Sequence, residues 1–302
     1  MNAKRSDKQP LERHTTSRPT VAALEKLIGK KLPVLDKGFI RVIDYMGDDG
    51  AIVQAARVSY GKGTKSVSAD AALIRYLMRH MHTTPFEMCE LKLHIKLPIF
   101  VARQWVRHRT ANINEYSARY SVLEREFYVP DLENVAQQSG NNRQGRGHIA
   151  SSKIAQSVRR RMAKDAEKAF DTYESLLGQS DSSEGISREL ARIGLPLSTY
   201  TEWYWKIDLH NLFHFLRLRA DEHAQLEVRK YAEEILKIVE KWVPAAYSAF
   251  VEYQMHGGRL SRSAIRIIGE LARGGKVSFP ESGLSRREWD DLVKMFSLDI
   301  ER

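Results

Sequence analysis

The sequence predicts an α/β chain of the α+β type: a mixed sheet with packed helices in a single large domain. Three observations carry this. Residues 90–97 and 201–207 alternate apolar and polar side chains with the period of a strand. Other segments repeat apolar residues at helical spacing. Strands and helices interleave along the chain instead of falling into separate halves.

In order, residues 1–33 read as a basic flexible tail with one short helical pattern from Val21 to Ile28. The compact region spans 34–256 and opens on a β-rich run from Gly38 to Ile43. Residues 50–58 read as a short helix, and Ser68 is the expected N-cap of the next, where Ile74 and Met78 lie i, i+4. In the strand 90–97, Leu91, Leu93, Ile95 and Leu97 alternate with Glu90, Lys92, His94 and Lys96. Pro98 suits a helix start, and the apolar helix after it ends among Arg103, Gln104, Arg107, His108 and Arg109.

Residues 136–152 are rich in Gly, Asn, Gln and Ser and read as a mobile loop. A long helix to Leu177, a short one from Ile186 and the strand at 201–207 follow. Helices are expected at 209–218 and from Glu222 to Val251. Residues 257–302 read as a basic extension with one small helix, started by the Ser285–Glu288 capping box.

Composition excludes several classes. The chain has 302 residues and a single cysteine, Cys89. There is no internal disulfide framework and no multi-cysteine zinc site. No apolar run is long enough to span a bilayer, and the first residues lack the apolar core of a secretory signal, so a cytoplasmic protein is expected. The glycine-rich signatures of Rossmann and P-loop sites are missing, as is G-x-S-x-G. With 48 Lys and Arg against 38 Asp and Glu, the net charge of +10 calls for a nucleic acid, an anionic small molecule or basic tails.

The densest polar segment is Gln104 to Tyr120, at the end of an apolar helix. If 114–120 is extended, Glu115, Ser117 and Arg119 share one face about 6.6 Å apart. An acceptor, a hydroxyl and a guanidinium on one face suit a nucleotide, and Arg107 and Arg109 add forks for phosphate. The bland alternative is a solvated, salt-bridged turn. Arg192 and the run Arg217 to His223 form a second basic constellation, with structural ion pairing as its alternative. His210 and His214 are spaced like a helical metal pair, but no H-E-x-x-H accompanies them and no metal site is expected. His80 and His82 should point apart at a helix end. Cys89 has no cationic neighbour in sequence to activate it and reads as a small core residue.

Arg107-His108-Arg109-x-x-Asn112-x-Asn114-Glu115-x-Ser117-x-Arg119-Tyr120 resembles the signature of flavin-dependent thymidylate synthases, with Asn112 where that family usually has Ser. The likeness continues in Ala55-Ala-Arg-Val-Ser59, His82-x-Thr84-Pro-Phe-Glu87, Arg192-x-x-Leu195-Pro and Leu218-Arg219-Ala-Asp-x-x-Ala-Gln225. It covers about residues 34–256.

The resemblance implies a homotetramer with active sites shared between subunits. It would methylate dUMP to dTMP, with 5,10-methylenetetrahydrofolate as carbon donor and NADPH as reductant through FAD. FAD would be held by Ser59, Thr84, Glu87, Arg107, His108, Arg109 and Glu115, and by Asp208, His210 and His214. Gln104, Arg107, Glu115, Tyr116, Ser117, Ala118, Arg119, Arg192 and Arg219 would bind dUMP. Arg219, Ser117 and His82 would be the catalytic set, with Arg219 favouring the N3-deprotonated pyrimidine. No cysteine nucleophile, nucleic-acid partner or membrane is implied. A nucleic-acid-binding module and a metal-dependent hydrolase on His210 and His214 are the competing readings.

Overall fold

The computed structural model describes residues 17–58, 67–140, 145–178 and 185–298. The chain divides into two compact units, one of residues 1–64 and 84–243, the other of 65–83 and 244–302.

The first unit is built on a five-stranded sheet. Its strands are β1 (Lys31–Val34), β2 (Gly38–Met46), β3 (Glu90–Pro98), β4 (Asn112–Glu115) and β7 (Tyr200–Asp208), in the order β1-β2-β3-β7-β4. A separate pair is formed by β5 (Ala136–Gln138) and β6 (Arg146–Ile149). Among the described residues every pairing between these strands is antiparallel, which corrects the expected mixed sheet. The reason lies in the connections: β1 and β2 form a hairpin, while β3 and β7, whose paired residues are 102 to 118 positions apart in sequence, meet head to tail over nine residue pairs.

The alternation read in the sequence sets the two faces of this sheet. Ile40, Val42, Leu91, Leu93, Ile95, Leu97, Trp203, Trp205 and Ile207 point to the core and are buried. The helices Ile99–Trp105, Leu209–Arg219 and Leu226–Trp242 pack on this side of the unit. The opposite face carries Arg41, His94, Lys96, Glu202 and Tyr204. There His94 Nε2 lies 2.7 Å from Glu202, and its ring stacks on Tyr204 with centroids 5.0 Å apart. Burial holds His94 below its ordinary pKa although Glu202 pulls the other way.

Gly38 shows how closely helix and sheet approach. A Cβ there would fall 2.0 Å from the hydroxyl of Tyr231, which donates to the Lys96 carbonyl at 2.7 Å. Any side chain at 38 displaces this bond and the Leu226–Trp242 helix with it.

Two segments read as unstructured are ordered in part. Residues 1–16 lie outside the described residues. From Arg18 onward the expected tail packs on the sheet: Leu24 is fully buried, Tyr45 donates to Glu25 at 2.5 Å, and Arg18 pairs with Asp44 at 3.1 Å. In the expected loop, 141–144 lie outside the described residues. The flanking residues form the β5–β6 ladder, tied down by Arg146 donating to the Asn134 carbonyl at 3.0 Å. The long helix Ser152–Leu177 buries Ala166, Phe170 and Tyr173 against Phe127 and Ala191. Arg125 fastens it from outside, with bonds of 2.7–2.8 Å to Glu167, Asp171 and Glu174.

In the second unit, helices Val67–Arg79 and Pro244–Phe250 pack together, and the latter runs on into a π turn, Val251–Met255. The helix expected from Glu222 to Val251 is therefore broken. Val243 leaves helical geometry at φ −135°, and Pro244 cannot complete the preceding turn. Helix Val67–Arg79 begins one residue before Ser68, whose side chain lies outside the described residues. Among the described residues the C-terminal extension holds three helices, not one: Arg262–Ala272, Phe279–Ser282 and Arg286–Phe296. They enclose Ala264, Ile267, Trp289 and Leu292. The Ser285–Glu288 capping box forms as read, with the Ser285 N–H donating to Glu288 at 2.8 Å. Among the described residues, no helix is long and apolar enough to cross a membrane.

Candidate active site

The helix Ile99–Trp105 is anchored by its last residue. Trp105 is fully buried, its ring centroid 4.6 Å from Phe215, 5.1 Å from Trp205 and 5.8 Å from Trp203. This aromatic cluster fixes where the helix ends, and the polar residues that follow emerge at a set position. Trp105 accepts from the His108 backbone N–H at 3.0 Å, turning the chain so that His108 faces the helix Leu209–Arg219.

Arg219 closes that helix and meets His108. Its Nε–H donates to His108 Nε2 at 3.0 Å, and its Nη2 donates to the backbone carbonyl of Gln104 at 3.3 Å. The imidazole lies edge-on to Phe215 at 4.9 Å and to His214 at 5.7 Å. Burial, then the charges of Arg219 and His214, lower the His108 pKa to about 4. His108 is neutral at pH 7. Because a guanidinium only donates, Nε2 must be its acceptor nitrogen and Nδ1 must carry the proton. Arg219 in turn is lowered from its ordinary value by burial and by the charge of Arg107. A guanidinium stays charged under any such shift at neutral pH.

No carboxylate among the described residues pairs with Arg107, Arg109 or Arg219. Arg107 lies near enough to Arg219 for its charge to act there, and guanidinium groups so placed without a counter-ion form a site for an anion, their planar forks matching phosphate or an ionised pyrimidine edge.

Other predicted residues of the same unit follow on from β4. Glu115, at the end of β4, accepts from the Thr201 hydroxyl at 2.8 Å. Arg119 pairs with Glu189 at 2.9 Å, and Arg188 donates to the Tyr120 carbonyl at 2.7 Å. The Tyr116 hydroxyl donates to the Val122 carbonyl at 3.1 Å, Ala118 is buried, and Arg192 opens a single 3₁₀ turn. The extended face expected for 114–120 does not exist. The strand stops at Glu115, and the Ser117 carbonyl accepts from the N–H groups of Tyr120 and Ser121 at 3.1 Å. A turn therefore replaces the strand, and Ser117 Oγ accepts from its own Arg119 N–H at 3.3 Å. Among the described residues, no hydrogen bond or ion pair joins this set to the Arg219 set.

The helix Leu209–Arg219 also carries His210 and His214, and Asp208 caps its start by accepting from the Asn211 N–H at 2.9 Å. The short helix Thr84–Glu87 packs beside it through Phe86 and Phe213, 6.3 Å apart, which brings Thr84 and Glu87 alongside. Among the described residues no three His, Cys, Asp or Glu side chains come together as a metal-binding set. Ser59 lies outside the described residues. His82 is exposed in the second unit; its ring and that of His80 both lie against Tyr76, at 6.0 and 4.4 Å. The two histidines therefore do not point apart as expected.

Cys89 is fully buried and donates to the Asp48 carbonyl at 3.5 Å. Burial, with help from Asp48 and Asp49, pushes its thiol up to about 12.

Sequence reasoning missed several supporting residues. Thr201, Glu189 and Arg188 hold Glu115, Arg119 and Tyr120 in place, and Gln225 binds the side chain of Gln104. Each partner is 68 to 121 positions away in sequence, beyond any local pattern. Only Gln225, within the quoted Leu218–Gln225 segment, left a signal.

Residues 41–245 match the model of the family described as Thymidylate synthase complementing protein. A flavin-dependent thymidylate synthase of Ehrlichia ruminantium (strain Gardel) is 57% identical over 289 residues, covering 96% of each chain. One of Gluconobacter oxydans (strain 621H) is 57% identical over 285 residues, covering 94% of this chain and 93% of that one. Among solved structures, the UMP/dUMP methylase PolB of Streptomyces cacaoi, bound with 5-Br dUMP, superposes with a TM-score of 0.67 at 32% identity. That match covers 74% of this chain and 99% of the other. By near full-length similarity, the family model and the solved fold, the chain belongs to the flavin-dependent thymidylate synthase family.

Proposed function

We propose that the chain methylates dUMP to dTMP, taking the carbon from 5,10-methylenetetrahydrofolate and reducing equivalents from NADPH through FAD, with no cysteine nucleophile. The observation that carries this reading is the Arg107–His108–Arg219 cluster, which has no acidic counter-ion among the described residues.

The residues fit a flavin dinucleotide. Arg107 and Arg109 would supply guanidinium donors for its diphosphate, neutral His108 a flat ring, and His210 and His214 two more from the Leu209–Arg219 helix. Thr84, Glu87 and Asp208 would complete the flavin contacts, with Ser59 joining from the chain before them. The bound flavin would relay hydride from NADPH to the pyrimidine.

The rest of the work falls to the protein. C5 of uracil is a poor nucleophile. Arg219, placed at N3 and the ring carbonyls, would stabilise the pyrimidine anion left when N3 loses its proton. The added electron density lets C5 attack the folate methylene. His108 accepts from Arg219 without competing charge, so it aims the guanidinium without neutralising it. Gln104, Glu115, Tyr116, Ser117, Ala118, Arg119 and Arg192 would hold the base, sugar and phosphate, and His82 would stand at the flavin and folate face. Ser117 acts here as a hydrogen-bonding group. The inert setting of Cys89 supports a route without a thiolate.

A homotetramer with shared sites is part of this reading, in which the Glu115–Arg119 segment of one chain would complete the site of another. The exposed apolar side chains of Tyr120, Ile193 and Leu197 suit such a contact.

The test is a spectrum of the purified protein followed by anaerobic dUMP titration. A yellow protein whose flavin absorbance shifts with dUMP is expected. A colourless chain that takes up no added FAD would overturn the reading.

A further inference from the structure

The side chain of Gln104 reaches a buried anion in two steps. Gln104 Nε2 donates to Gln225 Oε1. Gln225 Nε2 then donates to Glu227 Oε2 at 2.9 Å. Glu227 is 2% exposed, and its other oxygen accepts from Tyr128 at 3.1 Å and from Arg146 of the β6 strand. A carboxylate paired with a guanidinium only accepts hydrogen bonds. The direction of every bond in this line therefore follows from Glu227. Gln225 must turn its NH2 group inward, so it offers its carbonyl to Gln104. Gln104 must turn its own NH2 to Gln225. Its carbonyl oxygen is then the end left for the nucleotide site. Without the anion, either amide could be flipped at little cost.

We propose that Glu227 is a positioning residue, which through Gln225 orients the Gln104 amide so that its carbonyl oxygen accepts a hydroxyl or ring N–H of the bound nucleotide. This rests on the reading of Gln104 as a dUMP ligand. The same carboxylate holds Arg146 of β6, so the short β5–β6 ladder and the nucleotide end of the Ile99–Trp105 helix share one buried anchor. Tyr128, whose hydroxyl is pushed well up by burial and by Glu227, stays a proton donor to that anchor throughout the working pH range.

The test compares the wild type with three variants, in steady-state kinetics and dUMP titration of the flavin spectrum. Gln225 is exposed, so Gln225→Leu should fold normally while cutting the line. Glu227→Gln leaves the line in place but lets both amides flip. In each, KM for dUMP should rise roughly tenfold, the effect of one misdirected hydrogen bond of about 1.4 kcal/mol, while kcat changes less. The double variant Glu227→Gln with Gln225→Glu restores a carboxylate opposite Gln104, and KM should return to within about threefold of wild type. Loss of a merely structural contact would not be repaired by that exchange. An unchanged KM in Gln225→Leu, or no recovery in a folded double variant, would overturn the proposal while leaving dUMP binding by the wild type intact. A wild type that binds no dUMP would instead remove the functional reading beneath it.

Discussion

Arg219 donates its Nε–H to Nε2 of His108 across 3.0 Å, and the two side chains come from helix ends 111 residues apart in sequence. The contact fixes the tautomer of the imidazole and the plane of the guanidinium together. It also keeps positive charge on one partner only, since His108 is held neutral.

Replacing Arg219 removes the charge assigned to the pyrimidine anion. Arg219→Ala should lower kcat/KM for dTMP formation by about 10²–10³-fold while the flavin remains bound. In the same variant the His108 pKa should climb from about 4 toward its ordinary 6.5, because a cationic neighbour is gone. Imidazole titration by NMR reads the second effect independently of turnover. Wild-type activity in a folded variant would refute the assigned role.

Acid should destabilise the first unit through His108. Its folded pKa, about 4, lies below the unfolded value near 6.5, so the unfolded chain binds the proton first as pH falls. The neutral form's contribution to stability is complete above pH 6.5 and is lost progressively down to about pH 4. Urea melts across this window should show falling midpoints, and His108→Gln should flatten the slope. An equally steep slope in the variant would place the acid sensitivity elsewhere.

Cys89→Ser should retain most activity, since a buried thiol raised to about 12 supplies no thiolate at neutral pH. A hydroxyl in this apolar setting should cost about 1–2 kcal/mol of stability. Abolished turnover with fold and flavin intact would show that the nucleophile had been misread.

Trp105→Ala should be the most damaging core change near the site. The ring touches Trp203, Trp205, Phe215 and Tyr231, and removal of so large a buried group costs about 3–5 kcal/mol. Thermal unfolding measures the loss. Because Trp105 sets the end of the helix that carries Gln104, the KM for dUMP should rise in any folded fraction.

The strands at 90–97 and 201–207 were legible because burial of one sheet face imposes a two-residue period on side-chain type. The capping box at Ser285 was legible because it is a contact within four residues. The extended reading of 114–120 failed for a related reason. Alternating residue types there reflect no sheet face, and the Ser117 carbonyl instead closes a turn. The expected tail failed where Leu24 is buried and its short helix packs on the helix Leu226–Trp242, far from it in sequence, and a Lys-rich composition gives no warning of that.

By itself the sequence determined the polar cluster at the end of an apolar helix, the family signature from Arg107 to Tyr120, and the unpromising setting of its single cysteine. Those are local properties, set by residue type and by spacing over a few positions. The tertiary structure alone decided that the sheet is antiparallel, that Arg219 meets His108, and that Thr201 holds Glu115 of the signature. It also decided that a buried carboxylate at Glu227 stands behind Gln104. Each of these depends on which distant segments pack together. Packing is fixed by the shape of the whole aromatic core around Trp105, which no local pattern encodes.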